Sequence, residues 1–157
     1  MIHDSRLPAP MIEAQFPHLL PKTHYWWQAF ILEIITTFIF VMSVLIVKDD
    51  RTGQWVHGGN GWLACFVIAS TLTSMIYVSG GHTGASMNPA VSLAQHVLAI
   101  DILKIPNFKD GFLGIYIDGP FIGGILAGFY SWAHGWFIER YAGERQPEDN
   151  AVPIPEK

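Results

Sequence analysis

Residues 80–90 read Gly80-Gly81-His82-Thr83-Gly84-Ala85-Ser86-Met87-Asn88-Pro89-Ala90. Up to Met87 the stretch is too small and polar to face lipid. Asn88-Pro89 then reads as a helix start. Asparagine caps helix N-termini well, and proline suits the first turn, where its missing N–H is no loss. Gly80, Gly81 and Gly84 let the backbone turn and approach other segments. Behind the cap, an apolar stretch runs to about Ile100. Crossing a bilayer takes about 20 apolar residues, so this segment is predicted to be a half-helix that dips in and does not cross. Its positive dipole end points to the membrane centre and repels cations there. The Asn88 amide is placed to donate to a passing water. Irregular backbone at that depth is tolerated only where it lines a cavity or is buried in protein.

Long apolar runs flank this segment. A first span is predicted from about Trp26 to Val47, with Trp26 and Trp27 at one interface and Lys48, Asp49, Asp50 and Arg51 at the other. Glu33 lies inside it. A second span runs from about Gly61 to Ser79, with Ser70, Thr73, Ser74 and Tyr77 on one helical face. That stripe is expected to face protein or water. The last span runs from about Gly111 to Ile138 and carries two small-xxx-small pairs, Gly119/Gly123 and Gly124/Gly128, which permit close helix contact. Residues 48–60 and 101–110 are polar connections. The expected organisation is a Pro-rich arm (1–24), a transmembrane domain (25–138) and a polar tail (139–157). The expected fold class is all-α membrane, with three transmembrane helices and one re-entrant half-helix.

Composition agrees. Half of the 157 residues are hydrophobic and 14% are charged, against about 25% charged in soluble domains. The net charge of −4 and the lack of a basic stripe exclude a nucleic-acid partner. Cys65 is the single cysteine and forms no internal disulfide. Seven histidines are scattered without ligand spacing, so no metal and no cofactor is expected. No nucleophile–base pairing stands out, and an enzyme is not expected. Residues 1–23 have Asp4, four prolines and no apolar h-region, unlike a signal peptide. Lys and Arg divide almost evenly between the two sides, which leaves orientation open. The compartment is open too, between the plasma membrane and an organelle, the mitochondrial inner membrane included.

The run Thr83-Gly84-Ala85-Ser86-Met87-Asn88-Pro89-Ala90 resembles the second pore loop of the aquaporin, or major intrinsic protein, family. Gly119-Pro120 followed by Gly123 and Ala127-Gly128 resembles that family's sixth span, and Glu33 resembles the glutamate of its fourth. The likeness covers about residues 25–138 and implies the second half of the aquaporin fold. It implies that Asn88, Pro89 and Ala90 line a pore. It gives Glu33 a structural role, accepting hydrogen bonds from the loop backbone that Gly84 helps to turn. A proton-relay role for Glu33 is the alternative. It puts Ile76, Ala85 and Val91 at the filter. All three are apolar, and Val91 stands where the family usually has arginine, which puts ordinary water selectivity in doubt. Ser79-Gly80-Gly81-His82 and Val91-Ser92-Leu93-Ala94 resemble the surroundings of the family's first loop instead.

The family's first three spans and first loop have no counterpart in this sequence, so the chain is expected to supply at most half a pore. Besides lipid, its expected partners are other membrane subunits: a second copy, a separate first-half chain, or a larger complex. Two functions follow from the resemblance. One is a half-channel subunit for water or small neutral solutes that needs a second half. The other is a non-conducting structural subunit of a larger membrane complex. Asp118, in the last span, either pairs with a partner subunit or lines water. His82 is read as a loop-satisfied histidine, with a filter or metal role as the alternative.

Overall fold

The computed structural model describes residues 25–49, 61–99 and 113–142. The arm, most of the two polar connections and the tail beyond Ala142 lie outside them. The described residues form four helices: α1 (Trp26–Lys48), α2 (Gly61–Gly80), α3 (Pro89–Val97) and α4 (Leu113–Ala142). No strand occurs among them. Three are long and apolar enough to cross a membrane, namely α1, α2 and α4. α3, with 9 residues, rises only about 14 Å at 1.5 Å per residue. The fold is an all-α membrane fold of the half-aquaporin type.

α1 and α4 are the central pair. Gly119 lies against Phe30 and Glu33, Gly123 lies against Ile34, Thr37 and Phe38, and the Tyr130 ring meets Phe38 edge-on at 6.2 Å. Residue numbers rise together on both helices, so the two run parallel. A small core closes one end of their contact, with Ala29, Ile115 and Tyr116 buried and Phe30 packed on them. Pro120 is accommodated inside α4. A proline there removes one backbone hydrogen bond, which neighbouring helices make tolerable in a membrane.

Only one of the two glycine pairs makes the close contact. Gly119 and Gly123 face α1, whereas a side chain at Gly124 or Gly128 would meet nothing within 4 Å. Buried Ala127 continues the packed stripe one turn beyond Gly123. α2 packs on α1. The polar stripe on α2 is open on the outer surface, and its hydroxyls are met within the helix. Thr73, Ser74 and Tyr77 are exposed, and the Thr73 and Ser74 hydroxyls donate to Ala69 O and Ser70 O at 2.9 and 2.8 Å. Such bonds to the preceding turn satisfy a hydroxyl without water or a neighbouring helix.

α4 continues four residues past Ile138, so the start of the expected tail is helical. Arg140 stands over the Trp136 ring at 5.2 Å, and a cation in the last turn suits the negative end of the helix dipole.

The loop after α2 starts beside the first half of α1, because Thr83 bonds to Glu33 there. α2 and α1 therefore run antiparallel. Asn88 and Pro89 border a cleft together with Thr37, the midpoint of α1. The start of α3 is thus at mid-depth. α4 begins level with the start of α1, on the side of the membrane where α2 ends.

Candidate functional site: the re-entrant loop

The loop holds three residues with positive φ: Gly84 at 85°, Ala85 at 57° and Met87 at 46°. Glycine adopts this region freely, whereas a residue with a Cβ is strained there by about 1–2 kcal/mol. Gly80 and Gly81, expected to serve as turning points, are not in the left-handed region. Something must hold Ala85 and Met87 in place.

That something is a fully buried carboxylate. Glu33 Oε1 accepts from the Thr83 hydroxyl at 2.6 Å and from Ser86 N at 3.2 Å, and Oε2 accepts from Met87 N at 2.9 Å. Thr83 Oγ1 in turn accepts from Ala85 N at 3.2 Å. The Tyr116 hydroxyl donates to Thr83 O at 3.1 Å. Glu33, Thr83 and Tyr116 are each buried. Both strained residues therefore have their N–H groups tied into one network, anchored on α1 and α4.

A second set of bonds shapes the tip. Asn88 caps α3, with Oδ1 accepting from Ala90 N at 3.0 Å. Ser92 N donates to Asn88 O at 3.1 Å, opening the helix. The Ser86 hydroxyl donates to that same carbonyl at 3.1 Å and also pairs with the buried Ser92 hydroxyl. Asn88 is exposed, and its amide N–H groups meet no partner among the described residues. Beside it opens a cleft of about 400 Å³, walled by Thr37 and Val41 of α1 and by Phe121, Gly124 and Ile125 of α4.

The other sequence-derived candidates differ in exposure. Pro89 and Ala90 share the tip with Asn88. Ile76 on α2 and Val91 on α3 are both roughly half-exposed, and Ala85 is buried. His82 is exposed. Its backbone N–H bonds Ser79 O, but its ring meets no partner among the described residues, so it is not satisfied by the loop. Asp118 is exposed on α4. Sequence reasoning missed Thr83, Ser86, Ser92 and Tyr116 as anchors. Thr83 lies 50 positions from Glu33, and no local pattern signals such a pair.

Removing the Tyr116 hydroxyl isolates its share of the network. Tyr116→Phe leaves the buried Thr83 carbonyl without that donor, an expected loss of about 1 kcal/mol. Thermal unfolding in detergent checks it, and an unchanged midpoint would show that the bond carries no weight.

These features define a helical membrane protein built around a capped re-entrant half-helix. The sequence model of the major intrinsic protein family matches residues 6–131, and the chain belongs to that family. Aquaporin TIP1-1 of Zea mays is 35% identical over 102 residues, which are 65% of this chain and 36% of that protein. The probable aquaporin TIP-type RB7-18C of Nicotiana tabacum is 36% identical over 103 residues, 66% of this chain and 36% of that protein. Aquaporin AqpM of Methanothermobacter marburgensis is 26% identical over 103 residues, 65% of this chain and 38% of that protein. The chain thus spans a little over a third of the length of these curated relatives. No solved structure matches it.

Proposed function

We propose that this chain supplies one half of a membrane pore for water or a small neutral solute, and that a second half completes it. The observation that carries this reading is the Asn88 tip. A half-helix starts at mid-depth, with its cap made through Oδ1 and its amide N–H groups left outward beside an open cleft. Those groups and the positive helix end favour a neutral hydrogen-bond acceptor over a cation. Family membership and the names of the relatives point the same way. Asn88, Pro89 and Ala90 are the pore-lining residues of this reading, with Ile76, Ala85 and Val91 at its filter. Glu33 and Gly84 support the loop.

Asn88→Asp tests it. Aspartate keeps the capping oxygen, loses the outward N–H donor and adds a negative charge at mid-depth. In liposomes that show wild-type flux, the variant is expected to lower permeation at least tenfold while keeping the wild-type melting point. Unchanged flux counts against a pore.

The second reading is a non-conducting subunit of a larger membrane assembly. The observation in its favour is Val91 in place of a filter arginine, beside the equally apolar Ile76 and Ala85. Wild-type liposomes without flux, from an assembly whose composition is intact, favour it.

A further inference from the structure

Thr36, Ser43, Thr71, Thr73, Ser74 and Ser79 each donate their hydroxyl to a carbonyl of the preceding turn of their own helix. Thr37 does not. Its Oγ1 is buried and meets no hydrogen-bond partner among the described residues. A buried hydroxyl without a partner works against the fold, so its presence calls for a cause.

The missing bond has a local origin. The carbonyls three and four residues back belong to Ile34 and Glu33. Ile34 O is turned against Gly123, where a Cβ would lie 2.5 Å from it. Glu33 O already accepts from the Thr36 hydroxyl at 3.4 Å. Thr37 itself stands in the α1–α4 crossing, its Cβ 3.0 Å from the same point on Gly123. The close crossing therefore fixes this side chain in place and leaves its hydroxyl unused by the backbone.

The position of Thr37 relates it to the loop tip. It follows Glu33 by four residues and shares its face of α1. Glu33 holds the loop at Thr83, Ser86 and Met87. One turn deeper, Thr37 borders the cleft together with Met87, Asn88 and Pro89. Thr37 and Asn88 are the two polar side chains among the residues that line this cleft, against apolar Val41, Phe121 and Ile125. Thr37 is only 3% exposed, so bulk water does not serve its hydroxyl.

The two groups are chemically complementary. The Asn88 Oδ1 is engaged in capping α3, so its amide presents N–H donors. A threonine hydroxyl can accept as well as donate. A neutral hydroxyl satisfies both at once. Its oxygen accepts from the Asn88 amide and its hydrogen goes to Thr37 Oγ1.

We propose that Thr37 is the second polar contact at the Asn88 tip, and that it orients the hydroxyl of the permeating molecule, water included, by accepting its proton side while Asn88 holds its oxygen. This inference rests on the pore reading above and adds to it a residue that selects for hydroxyl-bearing solutes.

The test is osmotic water flux in liposomes that hold the native assembly, followed by stopped-flow light scattering. Thr37→Val keeps the shape of the side chain and removes the hydroxyl. Flux is expected to fall about fivefold, the worth of one hydrogen bond. Thr37→Ser keeps the hydroxyl and is expected to recover the flux. The melting midpoint of Thr37→Val should hold or rise, because no bond within the protein is lost. A structural threonine would give the reverse, a lower midpoint with flux unchanged. Wild-type flux in Thr37→Val, equal losses in the valine and serine variants, or a lowered midpoint in Thr37→Val each overturn the proposal. Asn88→Asp separates it from the pore reading. Flux lost in Asn88→Asp but kept in Thr37→Val removes the role of Thr37 alone, whereas a wild-type assembly without flux removes both.

Discussion

Glu33→Gln is expected to destabilise the folded chain by about 1–3 kcal/mol, the cost of leaving a buried donor without its acceptor. The two side chains have nearly the same shape, so the loss isolates hydrogen-bond chemistry from packing. Three donors converge on the carboxylate: the Thr83 hydroxyl and Ser86 N on one oxygen, and Met87 N on the other. Glutamine offers one oxygen and one NH2 group. Turned one way, the NH2 faces Met87 N–H. Turned the other way, it faces Thr83 and Ser86 together. The first arrangement is the better one, and it still leaves a buried N–H unpaired at a residue whose φ is 46°. That is the residue that can least lose its partner, because its conformation is already uphill. Denaturant or thermal unfolding in detergent checks the stability. Hydrogen exchange at the Met87 amide checks the mechanism, with protection expected to fall there first. A variant within about 0.5 kcal/mol of wild type, the range of ordinary surface substitutions, would mean that the loop holds its shape without the carboxylate.

The parts of this molecule legible in the sequence are those written in local chemistry. Apolar length marked the three crossing helices, and Asn88-Pro89 marked the start of the half-helix. The parts that were not legible depend on which way a helix faces. Gly119/Gly123 and Gly124/Gly128 have identical spacing, but only the first pair meets α1, because helix rotation is set by packing and not by the spacing itself. The left-handed Ala85 and Met87 were hidden for a related reason. Their side chains prefer other backbone shapes, and the force that overrides the preference comes from Glu33, more than 50 positions away.

Gly123→Ala is the second large effect, and it should be sharply local. A Cβ there would lie 2.5 Å from Ile34 O, 3.0 Å from Thr37 Cβ and 3.1 Å from Phe38 N. Two of these atoms are backbone, so no side-chain rotation relieves the clash and α1 must move away from α4. Overpacking of this kind costs about 1–3 kcal/mol, and a larger side chain such as valine should cost more. Gly124→Ala and Gly128→Ala are the controls. They lie one and five residues further on, meet nothing within 4 Å and exchange glycine for a better helix former, worth up to about 1 kcal/mol in favour. Midpoints that fall for Gly123→Ala alone confirm a close α1–α4 crossing. Equal behaviour of all three would remove it. The crossing also reaches the loop. One turn before Gly123, Gly119 sits 3.0 Å from Glu33 Cβ by the same measure. Parting the helices at Gly123 therefore draws the carboxylate away from Met87 and Ser86. The Asn88 tip should loosen in Gly123→Ala even though the substitution touches no loop residue, and faster exchange at the Met87 amide in that variant is the measurement that links the helix crossing to the site.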